Sequence, residues 1–135
     1  MPSRRMLPDT VTLFNYVGEV NDVAIYQKAI IKNCYCPINE GAMATGNGTA
    51  PSDRATLYIF DRGSVVTDEN GNKLVYKPRE EWDALQNKAG FWTLHRGPTR
   101  DYFIKSGDPE KMAVTGFNHL TGGTRRMWHF EVHGT

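Results

Sequence analysis

Cysteine is nearly missing from this chain: Cys34 and Cys36, in the segment NCYC, are the only two among 135 residues. A disulfide scaffold needs more of them, and a structural zinc site normally takes four ligands. The pair is expected to be two reduced thiols at a strand end, pointing to opposite faces. Long apolar runs are missing too. None approaches the ~20 residues with which a helix crosses a bilayer, and no apolar signal core follows the two arginines of MPSRRMLPDTVTLF. The expectation is synthesis in the cytoplasm and no membrane partner. Neither sign of charge dominates: sixteen basic residues stand against fifteen acidic ones, for a net charge of +1. A dedicated duplex-DNA binder carries a basic excess, because phosphate neutralisation supplies most of its affinity.

The common catalytic signatures are absent as well. Ser52, Ser64 and Ser106 lie in no G-x-S-x-G elbow. GNG at Gly46–Gly48 has neither the spacing nor the context of a phosphate-binding loop, and there is no Walker A motif. Glu80 and Glu81 are adjacent carboxylates at a helix start, where the dipole accounts for them.

What is present reads as one globular domain over residues 1–135, with 39% apolar and 23% charged residues and enough chain for a single core. Strand signals dominate. TVTLFNY (Thr10–Tyr16) alternates, VGEVND turns, and VAIYQKAIIKN (Val23–Asn33) continues as a long strand whose phase shifts near Ala29, predicting a bulge or bend there. Residues 1–9 read as an N-terminal arm. Pro37–Asp53 collects Gly41, Gly46, Gly48 and Pro51 among small polar residues and reads as one long loop, a length that is often functional. RATLYIF (Arg54–Phe60) is a strand. Asn70-Gly71 marks a tight turn. PREEWDAL (Pro78–Leu85) predicts the one short helix, with Pro78 in its first turn, Trp82 and Leu85 on one buried face, and Gly90 as its stop. FWTLHRG, RDYFIKSG, MAVTGFNHL and RRMWHFEVHG complete seven or eight strands. The fold class predicted is all-β, a small and mainly antiparallel barrel or sandwich with one short helix.

The last stretch, RRMWHFEVHGT, holds His129 and His133 beside Glu131. As a strand it places Met127, His129, Glu131 and His133 on one face and Trp128, Phe130 and Val132 on the core face. Along a strand the two histidines are about 13 Å apart, too far to share one zinc. A metal site would have to combine one of them with His95 or His119. Arg96, Arg100, Lys105, Arg125 and Arg126 gather in the C-terminal half, and Tyr58, Phe60, Tyr102 and Phe103 are available for base stacking. A single-stranded nucleic-acid-binding barrel is therefore the alternative reading.

Taken in order, TVTLFNYV, IYQKAIIKNCYCP, the Gly-rich loop, ATLYIF, FWTLHRGPTRDYFIKSG and VTGFNHLTGGTRRMWHFEVHG resemble a family of small phage and prophage proteins of Gram-positive hosts, the minor capsid or head–tail connector proteins. The last element is similar to the family's closing pattern at Val114, Asn118, Gly122 or Gly123, Met127, His129, Glu131, Val132 and Gly134. The turn HRGPTRD is longer and more basic than the family's. The resemblance implies a non-enzymatic virion protein with no cofactor. It implies a head-completion or stopper subunit that forms a homo-oligomeric ring between the portal–adaptor and the tail and closes the DNA channel. Portal, adaptor and tail proteins are then its partners, and genomic DNA passes without sequence-specific contact. The interaction residues expected on this view are Gly41, Met43, Thr45 and Asn47 in the loop, Arg96 and Arg100, and His129, Glu131 and His133 on the closing strand.

Overall fold

The computed structural model describes residues 7–38, 54–96, 100–108 and 110–135. Nine strands and one helix follow in chain order: β1 Asp9–Val20, β2 Val23–Cys34, β3 Ala55–Phe60, β4 Val65–Thr67, β5 Val75–Tyr76, α1 Arg79–Ala84, β6 Phe91–Trp92, β7 Tyr102–Lys105, β8 Lys111–Leu120 and β9 His129–Gly134. Seven strands form one antiparallel sheet in the order β3-β9-β8-β7-β1-β2-β4, and β5 pairs with β6 in parallel. The all-β expectation holds. The sheet is rolled and sandwich-like rather than a barrel closed by a continuous ladder. Among the described residues its two sides meet through short bridges from the extension of β2, Tyr35 to Tyr58 and Ile38 to Ala55.

The β1–β2 hairpin turns on Asn21 and Asp22, both with positive φ (51° and 64°). That backbone matches the twist of the flanking strands, and short polar side chains tolerate it best among non-glycine residues. The bulge or bend expected near Ala29 is not there: the register shifts of this pair fall at Asn33, four residues further along β2, and at Val17 on β1. Tyr16 faces Tyr26 and Gly18 faces Ile25, so Val17 is the extra residue, while Ala29 sits in regular register with Leu13. The phase of β2 misleads because Gln27 points inward. Its amide donates to the carbonyls of Lys88 (2.6 Å) and Phe91 (2.8 Å).

Every second residue of the main strands enters one core: Val11 and Leu13, Ala29 and Ile31, Leu57 and Ile59, Met112 and Val114, Phe130 and Val132, with Phe103, Trp92 and Leu94 between them. Burial of such side chains is the main favourable term in the fold. The arm expected at 1–9 is integrated at its end. Leu7 is buried, and the Asp9 carboxylate accepts the Cys36 N–H at 2.7 Å. Cys34 and Cys36 are both buried and free, which corrects their expected opposite facing: residues two apart in an extended segment share a face.

The turn at Asn70-Gly71 forms as expected, with the Asp68 carboxylate accepting the N–H groups of Asn70 (2.8 Å) and Asn72 (2.9 Å). Those bonds hold its pKa below the usual carboxylate value. Helix α1 also forms, and Trp82 is buried between the Arg79 guanidinium and the Lys88 ammonium, each about 5 Å from its ring centre. Leu85, with extended backbone, ends the helix. Gly90 (φ 88°) shapes the turn into β6 instead.

Candidate interaction surface

Strand β9 lies inside the sheet, between β3 and β8. Its inward residues Phe130, Val132 and Gly134 are buried, and His129, Glu131 and His133 form the outward row. Trp128 departs from its expected core position. A 3-10 turn over Arg125–Met127 delays the start of β9, and Trp128 caps that turn, half-buried, with the Arg125 guanidinium 5.4 Å from its ring centre. Met127 likewise lies on the turn, exposed, and not on the strand face.

Along β9 the register sets Phe60 and Leu120 beside His129, Tyr58 and Asn118 beside Glu131, and Thr56 and Gly116 beside His133. His129 packs against Phe60 and Tyr58, with ring centres 5.2 and 5.9 Å away, and Tyr58 stacks on Tyr35. The His129 Nδ1 lies 2.8 Å from the Met127 carbonyl. A carbonyl only accepts, so Nδ1 carries the proton. That leaves Nε2 3.8 Å from Glu131 Oε2, an ion-pair separation when the ring is charged. This surface is a mixed aromatic and polar face. Among the described residues no three His, Cys, Asp or Glu side chains converge as a metal site.

The expected basic cluster is dispersed. Arg96 lies over the Phe117 ring. Arg100 lies over Tyr16, donates to its hydroxyl at 2.9 Å and binds Glu19 at 2.5 Å, which holds the Glu19 carboxyl below its ordinary pKa. Lys105 donates to the Cys36 carbonyl at 2.9 Å. Of the aromatics proposed for stacking, Phe103 is wholly buried and leaves that set, because in RDYFIK the inward phase falls on Phe103 and not on Tyr102. Gly41, Met43, Thr45 and Asn47 lie outside the described residues.

Two features lie outside the interaction residues expected from the sequence, and the first had no local signal there. His119 Nε2 meets the Asp61 carboxylate at 2.9 and 3.0 Å and stacks flat on Phe130, with centres 4.0 Å apart. The pair stands at the mouth of a cleft of about 360 Å³ floored by Leu74, Tyr76, Trp92 and Phe130. The second feature is a cluster on the outer side of the sheet. Phe14 stacks on Tyr102 at 4.5 Å, and Tyr26 meets both rings edge-on. Lys28 lies over Phe14 and Lys111 over Tyr102. The signal was present in β1 and β2, where Phe14, Tyr16 and Tyr26 fall on the outward phase.

No protein-family model matches the chain, and neither the curated proteins nor the solved structures give a match.

Proposed function

We propose that this chain is a structural virion protein of a tailed phage, a head–tail connector subunit of the stopper or head-completion type. On this reading it assembles as a ring between the portal–adaptor and the tail and closes the channel through which the genome passes. It is made in the host cytoplasm and ends in the neck of the virion. The observation that carries the proposal is how the residues of the resemblance divide in space. Val114, Val132 and Gly134 are buried in the core, whereas Asn118, His129 and Glu131 stand together on the outward face of β8 and β9. One set builds the strand pair, and the other is free to meet a partner.

The segment between Ile38 and Arg54 supports the same reading. Ile38 bridges to Ala55, so the two ends of this interval stand side by side, and its length and Gly-rich composition suit reaching a neighbour or narrowing a channel. The test is assembly of the purified chain with the portal-side neck proteins, read by light scattering. A ring should form with them, and the double variant His129→Ala/His133→Ala should assemble at least about tenfold more weakly, the weight of ~1.4 kcal/mol. Undiminished assembly by a folded double variant removes the role of this face, and failure of the unaltered chain to join any neck component removes the connector reading.

The outer cluster of Phe14, Tyr16, Tyr26 and Tyr102 favours a second reading, a single-stranded nucleic-acid-binding protein. Aromatic faces rimmed by Lys28, Lys111 and Arg100 match the stacking-plus-phosphate chemistry of such surfaces. Oligonucleotide affinity that falls steeply with salt supports it, and absence of binding at low salt ends it.

A further inference from the structure

The β1–β2 hairpin outruns its neighbours. β7 pairs with β1 only from Val11 to Phe14, and β4 pairs with β2 only from Ile30 to Lys32. From Val17 to Ile25 neither edge of the hairpin has a strand partner among the described residues. Unpaired β edges are what proteins join to other chains or else blunt. This arm carries a bulge at Val17 and two acids, Glu19 and Asp22, but no lysine or proline, and its apolar side chains stay uncovered. Past the bulge, Gly18 stands opposite Ile25 and Val20 opposite Val23, so Val20, Val23 and Ile25 share one face of the arm.

Those side chains meet no core. Val17, Val20, Val23 and Ile25 are 44, 59, 60 and 42% exposed, and they are half of the eight large apolar residues exposed among the described ones. Two of the remaining four flank the connection between β8 and β9: Leu120 ends β8, and Met127 lies on the turn two residues before His129, the β9 partner of Leu120. The charges are sorted between the two patches. Residues 17–25 carry Glu19 and Asp22 and no base, and residues 120–128 carry Arg125 and Arg126 and no acid. Arg100 of the same chain engages Glu19, which leaves Asp22 as the outward acid at the turn.

We infer that the β1–β2 arm docks on a second copy of this chain. Val20 and Val23 seat against Leu120 and Met127, and Asp22 faces Arg125 and Arg126. Apolar contact supplies the attraction and the sorted charges set the orientation. Two unlike patches in contact make a heterologous interface, which repeats head to tail and closes into a ring when its rotation permits. The inference rests on the ring reading above, since it names the contact by which one subunit holds the next.

The native thiols are buried, so a cysteine placed on the surface is selectively accessible to a short bis-maleimide. Val20→Cys chain mixed with Met127→Cys chain should yield covalent pairs about tenfold above Val20→Cys mixed with a control, Ser106→Cys, on the exposed turn that follows β7. Adding Val23→Lys to the first chain should abolish that excess, because it sets a cation against Arg125 and Arg126. Leu120→Glu in the second chain should then restore it. Yields equal to the control, or unchanged by Val23→Lys, overturn the inference. The two readings fail separately. A chain that crosslinks through the arm yet ignores the neck proteins retains the arm and loses the connector role. A Val23→Lys chain that still joins the neck ring at full strength retains the connector role and loses the arm.

Discussion

Arg79 reaches from the first turn of α1 to Asp101, just before β7, and its guanidinium donates to the carboxylate at 2.9 Å. Asp101 is 1% exposed, and its other bonds reach β1. It accepts from the Asn15 side chain at 3.0 Å and from the Tyr16 N–H at 2.8 Å, while the Asn15 amide exchanges bonds with the backbone of Thr93. One buried carboxylate thereby fastens the helix, the β6 segment and the β1–β7 pair to each other.

Removing that carboxylate takes the acceptor from three donors, the buried Asn15 amide and the partly buried Tyr16 N–H and Arg79 guanidinium. Asp101→Ala is expected to destabilise the fold by about 3–5 kcal/mol, the range for breaking a buried charged pair from one side. Asp101→Asn, which keeps the shape and part of the bonding, should lose less. Urea unfolding measures both, and a midpoint unmoved in Asp101→Ala would show that the network is ornamental.

Gly134 is held to glycine by its neighbours. A Cβ built there would stand 2.7 Å from Phe103 Cζ and 2.9 Å from Met112 Cβ. Gly134→Ala should lower stability by about 1–3 kcal/mol, as overpacking does. Thermal melting decides the matter: an unchanged Tm would mean that the Phe103 ring swings aside freely.

Phe130 and Trp128 separate cleanly. Phe130 contacts Tyr76, Trp92 and Phe117 in the core, so Phe130→Ala should remove about 3–5 kcal/mol. Trp128, half-buried on its turn, should lose clearly less on the same change. Equal losses measured by chemical denaturation would return Trp128 to the core.

Burial pushes the Cys34 and Cys36 thiols up to about 12. The folded state thus holds protons that the unfolded chain releases near pH 9. The stabilisation from the two thiols is complete below about pH 9 and is lost progressively as pH rises towards 12. At neutral pH, alkylation should proceed only as fast as the protein opens. Rapid modification of native protein by a maleimide would contradict this.

Strands β1, β2, β3, β8 and β9 were legible because their apolar residues alternate, and α1 because Pro78, Glu80 and Trp82 stand where a helix start uses them. What escaped is polar and non-local. Gln27, Asn15 and Asp101 occupy inward positions, and an inward polar residue looks in sequence like an outward one. The His119–Asp61 pair joins residues 58 apart, with nothing local to announce it. Trp128 was misplaced because the 3-10 turn over Arg125–Met127 takes it out of β9, so the strand's period of two does not reach it. The outward row of His129, Glu131 and His133 was legible, since it needed only the period of two.

The Ile38–Ala55 bridge makes the interval it spans a natural splice site. Ile38 and Ala55 hold the two ends side by side, and for a flexible connection between fixed ends doubling the length costs roughly 0.6 kcal/mol. A chain with a peptide tag inserted between positions 39 and 53 is therefore expected to keep the sheet.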